Sequence, residues 1–213
     1  MVVSTGQNDQ YLTEEPIVKR TKFIEVPNIT ETNVNAVQSK EFAYRYAYAR
    51  SHDCQNDKAP GQDILVFKED GAHLAFALCD GVSQSFFGDL AASSLASALL
   101  EWIWEQTVLD DDIVRLSLAS LLQELVLPAQ QKVASYPLPI DISEMLRSVL
   151  EQKRNDVGSE SMFTTGLIDT SKGKVLLAWL GDSRLRIWDQ NMHETTRLLG
   201  DTFHSHERWY SKK

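Results

Sequence analysis

The chain has 213 residues, 43% of them hydrophobic and 24% charged, and a formal net charge of −9. That balance suits a globular domain with a buried core, and an acidic chain without a Lys/Arg-rich stripe argues against nucleic acid as a partner. No apolar run reaches the roughly 20 residues of a membrane helix, and the N-terminus lacks the basic start and apolar stretch of a signal peptide. No membrane partner is expected, and the expected location is cytoplasmic.

Residues 1–40 show no sustained periodicity and read as a flexible lead-in with one edge strand over residues 22–26. Residues 41–213 read as the folded domain. Residues 42–50 alternate aromatic with small side chains, as a strand does, and a polar loop follows over residues 51–62. Two apolar runs, residues 64–67 and 73–79, flank Glu69-Asp70-Gly71 and predict a hairpin.

Three helices are expected next. Ala91, Leu95, Ala98, Leu99, Trp102 and Ile103 form a stripe at helical spacing. A second helix opens on Asp110-Asp111-Asp112, presents Val114, Leu118, Leu121, Leu122 and Leu125, and meets a break or kink at Pro128. A third follows the Asp141 and Glu144 pair, which resembles a capping box, carries Met145, Leu146, Val149 and Leu150, and closes at Gly158. All three stripes read as core surfaces. Residues 162–169, 174–180 and 184–188 then read as an antiparallel meander. Strands, helices and strands in blocks predict an α+β fold with segregated layers.

The chemistry concentrates where apolar strands end on acidic residues. Residues 74–79 run into Asp80-Gly81, and residues 175–180 run into Gly181-Asp182. A carboxylate at the point where a buried strand surfaces is held rigidly, as coordination of a hard cation requires. With Asp57 in the preceding loop, three carboxylates could hold a pair of Mg²⁺ or Mn²⁺ ions that activate a water. No phosphate-binding glycine loop or Ser-His-Asp pattern offers another route. Cys54 and Cys79 have no metal-ligand spacing and are expected as buried free thiols. His204-Ser205-His206-Glu207 is expected to be a solvated segment.

The stretch from Asp80-Gly81 through Gly88-Asp89-Leu90-Ala91-Ala92 resembles the first metal-binding motif of the metal-dependent protein phosphatases, the type 2C serine/threonine class. Phe163-Thr164-Thr165-Gly166 followed by Gly181-Asp182-Ser183-Arg184 resembles that family's second block. The resemblance implies an α-β-β-α sandwich of two antiparallel sheets flanked by helices. It implies metal-assisted hydrolysis of phosphoserine or phosphothreonine on a phosphoprotein substrate. Asp80 would bridge two ions, the Gly81 carbonyl would bind one, Asp57 would act through water and Asp182 would serve a further metal position.

The family also uses an arginine to hold the substrate phosphate. That position falls on His52 here, with Arg50 two residues away, and Arg50 is favoured because it stays charged. Asn56 replaces an acidic residue, and Val82-Ser83 replaces a glycine pair. The family's further C-terminal aspartates have no counterpart before Lys213, and Asp201 follows Asp182 too closely to be one. The resemblance therefore implies sheets incomplete at the C-terminal end, an open edge that favours self-association, and a chain that alone lacks turnover. The alternative is a non-catalytic phosphatase-like module that binds a partner.

Overall fold

The structure is a computed structural model that describes residues 21–106, 110–200 and 203–212. Half of the expected lead-in, residues 1–20, and Asp201 lie outside the described residues. In chain order the elements are β1 (Lys22–Val26), β2 (Thr32–Gln38), β3 (Ala43–Tyr48), α1 (His52–Asn56), β4 (Ile64–Glu69) and β5 (His73–Gly81). Next come α2 (Gly88–Trp104), α3 (Asp111–Glu124), α4 (Val126–Ser135) and α5 (Glu144–Asp156). The chain closes with β6 (Glu160–Asp169), β7 (Lys174–Leu180) and β8 (Trp209–Tyr210). This is an α+β fold.

One antiparallel sheet has the order β1-β4-β5-β6-β7, with β8 paired to the first residues of β6; β2 and β3 form a separate antiparallel pair. The alternation of side chains along β4 and β5 sends residues to both faces. Ile64, Val66, Ala75, Ala77 and Cys79 face a core shared with Leu95, Leu99 and Ile103 of α2, against which Leu118, Leu121 and Leu122 of α3 and Leu125 just after it also pack. Small residues stand on both sides of this core, Ala75 and Ala77 on the sheet and Ala91, Ala92 and Ala96 on the helix. Leu65, Phe67, Leu74 and Phe76 face the other way and meet Tyr44, Tyr46 and Tyr48 of β3. The Phe67 ring lies 5.3 Å from Tyr44 and 5.6 Å from Tyr46. Burial on both faces explains why β4 and β5 read as nearly continuous apolar runs.

The Asp-Gly hairpin forms as expected. Asp70 Oδ1 accepts the N–H groups of Ala72 and His73, and Gly71 takes a positive φ of 89°. α2 matches its stripe, and Gly158 closes α5 with a φ of 76°, its N–H bonded to the Lys153 carbonyl.

Several expectations need correction. The expected edge strand is β1, at the edge of the main sheet against β4, but the lead-in also holds a second strand, β2, whose mostly exposed residues give no alternation to read. The polar loop contains α1, a helix too short to show a period. Helix α3 ends before Pro128, which sits in the first turn of α4, where a missing N–H leaves no bond broken. The cap of α5 is Ser143, whose Oγ accepts the Leu146 N–H at 3.2 Å, so Asp141 lies outside the helix. The α5 stripe is not a core surface either. Met145 is 80% exposed and Val149 42%, and only Leu150 packs inward. Cys79 is buried as expected, but Cys54 is only half-buried.

The third meander strand is absent as well. Residues 184–188 bond back on the chain that follows: the Ile187 N–H donates to Thr196 Oγ1 at 2.9 Å and the Thr195 N–H to the Ile187 carbonyl at 2.7 Å. A turn over Asp189, whose Oδ1 accepts from Asn191 and His193, makes that reversal. One isolated bridge, Trp188 with Glu194, is all the pairing it yields.

Candidate functional site

Antiparallel register builds the site. Glu69 pairs with Leu74 and Ile64 with Cys79, so the next residues outward, Asp63 and Asp80, stand opposite each other. Directly opposed side chains on one face lie about 5 Å apart at Cβ. The two carboxyl groups hydrogen-bond to each other, and Asp63 also accepts the Gly81 N–H. Both are half-buried.

Burial pushes the Asp80 carboxyl up from 3.8 to about 6, helped by the Asp63 charge and hydrogen bond and then by Asp182; the Arg208 charge opposes the rise. Burial raises Asp63 as well. Repulsion between two carboxyl groups in contact resists the second ionisation, so the pair shares one proton until the pH rises past about 6. A proton-sharing pair of oxygen donors at rigid strand ends suits a hard divalent cation, which would replace that proton.

Gly81 closes the pair from the backbone side. A methyl group on it would lie 2.6 Å from the Gly88 carbonyl carbon and 2.6 Å from the Gln62 oxygen. A methyl on Gly88 would meet the Gly81 carbon at 2.6 Å in return, so the end of β5 and the start of α2 cross with no room for a side chain on either. The Asp80 carbonyl is held by the Ser161 hydroxyl at 2.9 Å.

Asp182 lies further along the same edge of the sheet. Asp80 pairs with Met162, and the β6–β7 register, Phe163 with Leu180, carries Met162 on to Gly181. Two strand spacings put Asp182 about 10 Å from Asp80 at the backbone. Gly181 turns there at a φ of 100° with its Cα against Met162, and Asp182 acts on Asp80 through its charge. Among the described residues no three His, Cys, Asp or Glu side chains converge as a ligand group.

The other expected residues fall elsewhere. Asp57 is exposed, caps the end of α1 and does not line the cavity above Asp80. His52 is the exposed first residue of α1, its Nδ1 3.1 Å from Asn56 Nδ2, and also lies off that cavity. Arg50 does line it, in a space of about 370 Å³ shared with Tyr48, Asp53, Asp63 and Asp80. Its guanidinium is already engaged: Nε and Nη2 donate to Glu31 at 2.8 and 3.1 Å, and Nη1 to the Ala59 carbonyl at 2.9 Å. The Arg50 hydrogen bond in turn draws the Glu31 carboxyl down to about 2. Burial, then the charge of Asp63, lifts the Tyr48 hydroxyl to about 12.

No family model, curated protein or solved structure matches the chain.

Three residues at the site escape a reading of spacing alone: Asp63, Glu31 and Arg208. Asp63 could have been found by counting back from the Asp-Gly turn, since register fixes what opposes Asp80. Arg208 arrives because β8 pairs at Glu160 and Ser161, and it bonds Glu160 at 2.9 Å. Nothing local marks Glu31 or Arg208.

Proposed function

We propose that this chain is a phosphatase-type domain that hydrolyses phosphoserine or phosphothreonine on proteins, with Mg²⁺ or Mn²⁺ held by Asp63 and Asp80. The reading rests on the facing, proton-sharing carboxyl pair at the ends of β4 and β5. Asp63 takes the role first expected of Asp57. Mg²⁺ is commonly bound through one or two carboxylates with water completing the shell, so two side chains suffice for a first ion. A bound divalent cation supplies Lewis-acid activation of a water and neutralises phosphoryl charge.

The chain's own residues do the rest. The Gly81 N–H fixes the Asp63 carboxylate, and the Gly81–Gly88 crossing fixes the backbone of the pair. Arg50, at the cavity, offers a planar donor for phosphate oxygens once a dianion outcompetes Glu31. The six-stranded sheet and the β2–β3 pair fit the two inner layers of an α-β-β-α sandwich, with α2, α3 and α4 as one outer layer.

The test is phosphate release from a phosphoserine peptide in Mn²⁺. Asp63→Asn and Asp80→Asn should each lose about a hundredfold or more, while Asp57→Asn should stay within a few-fold of the parent. Turnover that survives a chelator, or that ignores Asp80→Asn, would overturn the proposal. The Arg50–Glu31 pair favours a second reading, a scaffold that binds without hydrolysing. Mn²⁺ binding without turnover by the parent chain would select it.

A further inference from the structure

A second cavity gathers the opposite charge. Past Asp182 the chain alternates, with Leu185 and Ile187 half-buried and Arg184 and Arg186 exposed. The reversal at Asp189 lays residues 194–197 back along this segment. Arg197 thereby joins Arg184 and Arg186 around a cavity of about 350 Å³, with Thr196, Glu194 and Phe203 also in its wall.

These arginines differ from the others near the site. Arg50 and Arg208 each hold a carboxylate, at 2.8 and 2.9 Å. Among the described residues no carboxylate lies within ion-pairing distance of Arg184, Arg186 or Arg197; even Glu194, in the same wall, is too far. Three like charges lining one cavity repel one another, and an anion between them removes that cost.

We propose that this cavity docks a phosphorylated serine or threonine of a partner protein, at a place distinct from the carboxyl pair. A phosphomonoester carries nearly two negative charges and three acceptor oxygens, which suit guanidinium forks and the Thr196 hydroxyl. Clusters of arginine are a recurring means of reading phosphorylated peptides. A nucleic-acid strand fits less well, because the surrounding chain is acidic, with a net charge of −9, and would repel a polyanion beyond the cavity. The two cavities share no wall residue. An extended chain covers at most about 7 Å between Asp182 and Arg184, so a docked phosphate would sit near the acidic strand ends.

Fluorescence anisotropy tests the proposal in the presence of a chelator, so that no hydrolysis intervenes. The probes are a labelled phosphoserine peptide, its unphosphorylated twin and a single-stranded oligothymidylate. The phosphopeptide should bind about tenfold or more tighter than its twin, the scale of one charge-assisted hydrogen bond. Arg186→Gln combined with Arg197→Gln should abolish that preference; both residues are exposed, so the variant should melt with the parent. Asp80→Asn should leave the preference intact, which separates this site from the proposed catalytic pair. Equal binding of the twins, or a preference that survives the double substitution, would overturn the proposal. Tighter binding of the oligonucleotide through the same arginines would overturn it in favour of nucleic acid.

Discussion

Asp80 shows how a single residue can be placed at a cost to the fold. Its carboxyl titrates near 6 in the folded chain against 3.8 for the free side chain. The folded state therefore keeps a proton that the unfolded state releases between about pH 4 and pH 6, and stability falls as pH rises through that window. A shift of about two units would amount to about 3 kcal/mol, but the half-exposed site is screened, and about 1 kcal/mol is the realistic scale. Without metal, the parent chain should thus lose a few degrees of melting temperature between pH 4.5 and pH 7 relative to Asp80→Asn. Asp80→Asn should be the more stable protein at pH 7. Melting curves that run parallel at all pH values would show that the pair carries no such repulsion.

At the scale of elements, pattern and outcome agree wherever a core face is broad. The α2 stripe and the Asp-Gly hairpin were legible because burial imposes their periods. The strand ends at Asp80-Gly81 and before Gly181-Asp182 were legible because an apolar strand ending in an acidic residue stands out. Asp63 was not, because its partner is set by register across a turn, and the eye goes to the nearer polar loop and Asp57. Helix α1 and strand β2 were missed for want of length and of a buried face. In α5 the apolar residues suggested a core stripe, yet the helix lies on the outside and depends on its ends. Ser143→Ala should therefore cost about 1 kcal/mol in chemical denaturation, and Asp141→Ala much less. The reverse ranking would restore the capping role to Asp141.

For the whole molecule, the central sheet sets the division of labour. One end of β4, β5 and β6 carries Asp63, Asp80 and Ser161, with Asp182 beyond them past the end of β7. The other end is closed by Asp70 and Asp169, whose side chains cap the two hairpin turns and flank His73. Among the described residues no helix is long and apolar enough to cross a membrane. A further cavity of about 600 Å³ between α3 and β7 is lined by Val114, Leu118, Leu176, Ala178 and Trp179, with Asp111, Arg115 and Glu207 also in its wall. The proposed cation seat lies instead at the smaller space above Asp80.

The central claim is that Asp63 and Asp80, rather than Asp57, seat the cation. Thermal melting with and without Mn²⁺ at pH 7 addresses it directly, since a ligand bound only to the folded state raises the melting temperature by mass action. The parent chain and Asp57→Asn should gain equally from millimolar Mn²⁺, and Asp63→Asn should gain nothing. If Asp63→Asn keeps the full shift while Asp57→Asn loses it, the site lies where spacing first suggested and the paired carboxyl groups are not its seat.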